Sequence, residues 1–278
     1  DRVSFTKLEV ECPPDFSEIL IAELAEAGFG MFMETESGFE ADAESQLVNL
    51  VAVDQIRQKY GHLQPLEFRL SSVEKENWNE LWEKNVSPTV VDGRCLIRAS
   101  FHPPGKGVLY EIVITPKMSF GTGHHPTTHL MIKAQLDVDH AGKRVMDAGC
   151  GTGILSIMAS MRGASEVEAF DIDAWSLSNG EENGALNHCT NIRIRQGTIA
   201  DFDWPRPFDI ILANINRNIL MQEMSMYAAH LVKGGVLVLS GFYVTDADEL
   251  IGRATPQNLT LTARDDREQW AMLRFTKT

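Results

Sequence analysis

The chain has 278 residues, 44% of them apolar and 23% charged, with a formal net charge of −14. That length suits two domains better than one, and the composition suits packed cores rather than disorder. The acidic balance disfavours nonspecific binding to phosphate backbones and suits cationic partners, while no run of about 18 apolar residues offers a membrane span.

The first residues, DRVSFTKLEVE, lack the basic-then-apolar pattern of a signal peptide. VSFTKLEVE alternates as a strand does. PDFSEILIAELAEAG places Phe16, Ile19, Leu20, Leu24 and Ala27 on one helical face, and Gly28 ends it. FGMFMETES and GFEADAE predict a hairpin, LVNLVAVDQIRQKYG a helix, and QPLEFRLSSV a further strand. The βαββαβ order predicts a ferredoxin-like α+β domain over residues 1–72, a fold that by itself specifies no function. In EKENWNELWEKN, Trp78, Leu81 and Trp82 stand at helical spacing, which predicts a connector helix over 73–87. Pro88 marks its end, and the second domain is expected to span 88–278.

From about Arg144 the pattern changes. RVMDAG, VEAFDID, IRIRQG, FDIILANI and GGVLVLSGF are buried-strand runs, with helical stretches such as GILSIMASMRG and WSLSNGEENGALNH between them. Strict strand–helix alternation predicts an α/β fold, a doubly wound parallel sheet with right-handed crossovers. NLTLTARDDREQWAMLRFTKT instead reads as two strands around a charged turn, an antiparallel hairpin added at one edge. Cys12, Cys95, Cys150 and Cys189 are widely spaced and form no CxxC pair, so free thiols in a reducing cytoplasm are expected.

VMDAGCGTGILS lies between the first strand and helix of that sheet. Gly149, Gly151 and Gly153 permit a tight turn and close approach of a ligand to the backbone. A dinucleotide loop reads GxGxxG/A, but the sixth position is Ile154 counted from Gly149 and Ser156 counted from Gly151. Asp147, just before the glycines, would repel a pyrophosphate and attract a ligand bearing an ammonium and a sulfonium. S-adenosyl-L-methionine meets that description. Asp171, 22 residues after Gly149, ends the next strand, where a carboxylate accepts bonds from both ribose hydroxyls. Asp173 reads as the cap of the following helix. Asn214 falls at the carboxyl edge of the fourth strand, placed either near a transferred group or as a helix cap.

The segment FGTGHHPTTHL precedes the sheet. His125 and His129 are four apart, but no Glu between them completes a zincin HExxH, and no metal site is expected. No GK[ST] follows the glycines, and Ser119 has no nucleophile pattern. The physical reading is a loop running into a helix, with Pro126 in the first turn and Thr127 and Thr128 after it, forming a wall of the donor pocket.

FGTGHHPTT, DAGCGTGILSI, FDID and ANINRNIL, in that order, together with ENWNELWEKN, resemble the PrmA family of class I methyltransferases, which modify large-subunit ribosomal protein eleven in bacteria. The resemblance implies that Thr128, Gly149, Asp171 and Asn214 contact S-adenosyl-L-methionine, beside the Asp147 and Gly151 read from the loop itself. It implies repeated methylation of lysine side chains and the N-terminal amine, with the first domain recognising the ribosomal protein and the connector letting it move. Asn214 is the expected orienting residue for the target amine, and no dedicated base is recognisable. His124 stands where many relatives have Thr. Two alternatives remain. An amino-methyltransferase of nucleic-acid bases or glutamine amides would be expected to carry NPPY where this chain has Asn214-Ile215-Asn216-Arg217, and a noncatalytic ribosome-assembly factor would need no intact donor loop. Direct nucleic-acid binding and membrane association are not expected.

Overall fold

The computed structural model describes residues 4–35, 37–61, 66–74, 87–115, 123 and 125–278; most of the connector-helix expectation, over 75–86, lies outside the described residues. The chain divides into two compact units, 1–87 and 88–278.

The first unit runs β1 (Ser4–Glu11), α1 (Pro14–Glu26), β2 (Met31–Thr35), β3 (Gly38–Glu44), α2 (Leu50–Gly61) and β4 (Glu67–Glu74). Its antiparallel sheet has the order β2-β3-β1-β4, the ferredoxin-like arrangement. Period-two alternation decides which face is covered. Leu8 and Val10 of β1 lie opposite Ala41 and Phe39 of β3, and these four pack under Leu20 and Leu24 of α1 and Val53 and Ile56 of α2. The intervening Lys7 and Glu40 belong to the other face and form an ion pair at 2.7 Å.

The second unit opens with a small sheet absent from the sequence expectations: β5 (Thr89–Val91), β6 (Cys95–Arg98) and β7 (Tyr110–Val113). Then come α3 (Pro126–Leu136), β8 (Arg144–Ala148), α4 (Ile154–Met161), β9 (Glu166–Asp171), α5 (Ala174–Leu186), β10 (Ile192–Gln196), β11 (Phe208–Asn214), α6 (Arg217–His230), β12 (Leu231–Tyr243), α7 (Ala247–Ala254), β13 (Leu259–Arg267) and β14 (Trp270–Lys277). The sheet order is β10-β9-β8-β11-β12-β14-β13. Its first five strands are parallel, and the terminal hairpin pairs antiparallel, with β14 rather than β13 against β12.

Helices cover both faces, which is why the central strands read as continuous apolar runs. Val145 of β8 and Ile210 and Leu212 of β11 pack under α3 and α4. Met146, Ala148, Ile211 and Ala213 pack under α6 and α7. Asp147 pairs with Leu212 across the strands and therefore points to the α3–α4 side.

One expected crossover helix is missing. Between β10 and β11 there is a single 3-10 turn, Ile199–Asp201. The connection is short and carries Pro205 and Pro207, which oppose helix propagation. Rings replace the helix: Trp204 packs edge-on against Phe202 and Phe208, and its Nε1 donates to the Ile199 carbonyl at 3.0 Å. On the opposite side, α5 carries Asn179 and Asn183, continued by Asn187 at its end, at four-residue spacing. Asn187 and Asn183 accept the Val113 and Thr115 amides, each at 2.8 Å, so α5 holds the chain that leaves β7. Asn183 also donates to the Thr152 carbonyl of the glycine loop at 2.9 Å. No helix among the described residues is long and apolar enough to cross a membrane.

Candidate active site

The strand order reverses at β8, whose neighbours are β9 and β11, and open parallel sheets bind ligands at the carboxyl edge of such a point. A cavity of about 440 Å³ lies there, within the roughly 300–1,000 Å³ usual for small-molecule sites. Gly149, Gly151, Asp171 and Asn214, all expected from sequence, stand on its wall. Phe170, Ile172, Ser176, Thr198, Ile219 and Glu223 also line it. The wall holds the carboxylates of Asp171, Asp173 and Glu223 and, among the described residues, no Lys or Arg. A dinucleotide pyrophosphate would be repelled by such a lining.

The glycine loop is stitched to β9. The Gly149 and Cys150 amides donate to the Phe170 carbonyl at 2.9 and 3.0 Å. Gly149 has φ +69°, and a Cβ there would stand 2.2 Å from Ile215 Cγ2. Asp171 is anchored twice: Oδ2 accepts the Gly151 amide at 2.9 Å and Oδ1 the Asp173 amide at 3.0 Å. Each carboxylate oxygen keeps further acceptor capacity. Asp173 caps α5, as expected, by accepting the Trp175 amide.

Asn214 ends β11 opposite Ser240 of β12. The cap of α6 is Asn216, whose side chain accepts the Ile219 amide at 3.1 Å. Asn214 is thereby released from the capping alternative, and its Oδ1 is buried without a partner. Behind this loop, Gly241 has φ +97°, and a Cβ there would lie 2.2 Å from the Ile215 carbonyl oxygen. Because the obstruction is backbone, Gly241→Ala is expected to displace residues 214–216 and cost roughly 1–3 kcal/mol of stability. A thermal melt showing no loss would overturn this.

Thr128 and Asp147 do not line the cavity; both are fully buried. Each nevertheless has an oxygen without a partner, Thr128 Oγ1 and Asp147 Oδ1. The other Asp147 oxygen accepts from Ser156 Oγ at 2.6 Å. Burial, reinforced by the charge of Asp171, pushes the Asp147 carboxyl up to about 7. Unpaired buried polar atoms are costly and uncommon, and three of them, on Thr128, Asp147 and Asn214, belong to residues expected to bind a donor. A ligand bearing an ammonium and a ribose diol finds acceptors here, and S-adenosyl-L-methionine fits the residues present.

Other features were not legible in sequence. His125 is the N-cap of α3, accepting the Thr127 amide at 3.2 Å. Its ring lies 4.7 Å from that of Trp270, which lies 4.3 Å from Tyr243. The three rings form a cluster at the same edge, because Tyr243 and Trp270 pair across β12 and β14. Nothing local in either strand signals that meeting. His129 Nε2 faces Arg267 at 3.2 Å. Phe120, Gly121, Thr122 and His124 of the FGTGHHPTT segment lie outside the described residues.

Residues 24–278 match the family model described as ribosomal protein L11 methyltransferase (PrmA). A ribosomal protein L11 methyltransferase of Bacteroides thetaiotaomicron is 41% identical over 275 residues, covering 98% of each chain. One from Porphyromonas gingivalis is 44% identical over 265 residues, covering 93% of this chain and 90% of that one. Among solved structures, a ribosomal protein L11 methylase from Lactobacillus delbrueckii subsp. bulgaricus superposes with a TM-score of 0.64 at 25% identity, over 69% of this chain and all of that one.

Proposed function

The chain belongs to the ribosomal protein L11 methyltransferase (PrmA) family, and from that membership we infer that it is an S-adenosyl-L-methionine-dependent methyltransferase acting on ribosomal protein L11. The observation that carries the donor reading is the acid-lined cavity at the strand reversal, with no Lys or Arg among its described lining residues, beside the unpaired buried oxygens of Thr128, Asp147 and Asn214. The acceptors within L11 are lysine side chains and the N-terminal amine.

Each residue then has a task. Asp171 holds the ribose hydroxyls, and the bare Cα of Gly149, with Gly151, admits the ligand close to the loop backbone. Asp147 and Thr128 lie buried behind the cavity wall, and we assign their unpaired oxygens to the donor's amino-acid end. When bound, the donor supplies a methyl group made electrophilic by its sulfonium. Asn214 Oδ1 accepts an N–H of the target amine and directs its lone pair.

That amine must be neutral, whereas a free lysine has a pKa of about 10.4. No base is needed in the cavity if the amine is dried on arrival, since desolvation disfavours the ammonium. The Tyr243, Trp270 and His125 rings supply such a surface. Placement does the rest; well-oriented reactants recover roughly 7–11 kcal/mol of barrier. Asn214→Ala is therefore expected to lower turnover by about 100-fold, the scale of a misplaced reactant, with a much smaller change in affinity for S-adenosyl-L-homocysteine. Unchanged turnover at saturating donor would remove the orienting role.

The ferredoxin-like domain, 1–72, recognises the ribosomal protein; support comes from its being a compact unit separate from the one that carries the donor cavity. Cys12, Cys95, Cys150 and Cys189 are all unpaired thiols, which supports a cytoplasmic location. The deciding experiment incubates purified L11 and its cognate ribosomal RNA with tritiated donor and reads L11 by mass spectrometry. Successive methyl increments on L11 amines are expected. Label in the RNA instead would favour a nucleic-acid amino-methyltransferase, and tight association without transfer an assembly factor.

A further inference from the structure

Three carboxylates line the cavity, and two are already committed to backbone amides. Asp171 receives those of Gly151 and Asp173, and Asp173 receives that of Trp175. Glu223 receives none. It stands one turn beyond Ile219 on α6, and both residues line the cavity. The hydroxyl of Tyr227, a fully buried ring, donates to Glu223 Oε2. Glu223 Oε1 takes no hydrogen bond from the described residues, and no Lys or Arg pairs with this carboxylate among them. A carboxyl partly removed from water and fixed by a neighbour lacks donors that a ligand can supply.

The cavity has a direction. Asn214 ends β11, Gly149 follows β8, Asp171 ends β9, and Gly197 and Thr198 follow β10, in the spatial order of the strands. A donor whose ribose is held at Asp171, with its amino-acid end toward Asp147 and Asn214, leaves its base to the remaining wall: Ile172, Gly197, Thr198, Ile219 and Glu223. Ile172, 68% exposed, and Ile219 offer apolar surface for a flat ring. Thr198 has little left to offer, because its amide and hydroxyl both bond Asp201, at 2.7 and 2.8 Å. Asp173 lines the cavity too, with one carboxylate oxygen given to the cap of α5, so among the described residues Glu223 is the acidic group there that no backbone amide engages.

Resting on the donor reading above, we propose that Glu223, held by Tyr227, accepts the exocyclic N–H of the donor's adenine and so sets base specificity. Hypoxanthine presents a carbonyl oxygen at the same position, which this carboxylate repels. A site built around one such hydrogen bond rejects the analogue that lacks it.

The test is isothermal titration of the full chain with S-adenosyl-L-homocysteine and with S-inosyl-L-homocysteine, beside thermal melts of every variant. The unaltered protein is expected to prefer the adenosyl ligand by about tenfold or more, the scale of one hydrogen bond to a charged group. Glu223→Ala is expected to bring the two affinities within about threefold, by weakening the adenosyl ligand and by relieving the repulsion on the inosyl ligand. Tyr227→Phe keeps the carboxylate but frees it, and shifts the ratio in the same direction by less. Base reading by Glu223 is overturned if the adenosyl ligand binds tightly and its preference survives Glu223→Ala in a folded protein. If the unaltered protein binds neither ligand, the donor reading itself falls and takes this inference with it.

Discussion

Replacing Asp171 by alanine is expected to weaken binding of S-adenosyl-L-homocysteine by about 100-fold to 10,000-fold. Two ribose hydroxyls donating to one carboxylate are worth about 1.5–3 kcal/mol each, and each 1.4 kcal/mol is tenfold. The side chain also pins the Gly151 amide and the Asp173 amide, so the same substitution loosens the glycine loop and the turn into α5. Asp171→Asn separates the two effects. Its remaining carbonyl oxygen can hold one of the amides, while the charge that strengthens the ribose contacts is gone. Affinity loss in a variant that melts near the unaltered protein locates the effect at the ligand. A change below threefold in both variants would sink the ribose assignment.

The second large effect is a pH dependence carried by Asp147. Its carboxyl is pushed from 3.8 to about 7 by complete burial, with the nearby Asp171 charge adding to the shift. The sign follows from linkage. Because the folded state holds the proton more tightly than the unfolded chain, this group's contribution to stability is fully present below about pH 4 and is lost as pH rises toward 7. On the proposed donor placement, binding works in the opposite sense: an ammonium brought beside the carboxylate would favour its charged form, so binding would expel the proton. Affinity for S-adenosyl-L-homocysteine is therefore expected to fall by about tenfold per pH unit below pH 7 and to flatten just above it. Titration calorimetry in two buffers of different ionisation enthalpy should register about one proton released per ligand at pH 6. In Asp147→Asn the release disappears and affinity no longer varies with pH through this group. A flat profile between pH 5.5 and 7.5 in the unaltered protein would falsify the coupling.

Much of the fold was legible because its signals are local. Period-two alternation in β1 and β3, helical spacing in α1, and apolar runs in β8 and β11 each report burial within a few residues. The glycine loop, the Asp171 strand end and the Asp173 cap were legible for the same reason: each is a short segment whose residue types match a backbone task. Expectation failed where a segment's fate was set by distant partners. The 197–207 connection, where Pro205 and Pro207 already oppose a helix, forms a 3-10 turn and a ring cluster because Trp204 packs on Phe170 of β9, more than thirty positions away, as well as on Phe202 and Phe208. The small β5–β7 sheet is held partly by asparagines of α5 and its C-cap more than sixty positions away.

By itself the sequence determined the class of this protein: two domains, a parallel sheet with a reversed hairpin, a glycine loop suited to a phosphate-free ligand, and a family shared with L11 methyltransferases. Only the tertiary structure decided which polar atoms remain unsatisfied. It assigned the cap of α6 to Asn216 and so freed Asn214, buried Thr128 and Asp147 behind the cavity wall, brought Tyr243 to Trp270, and put Glu223 on the wall. The physical reason is that hydrogen-bond satisfaction and burial are sums over neighbours in space. Strand pairing and helix packing choose those neighbours, and local residue pattern does not.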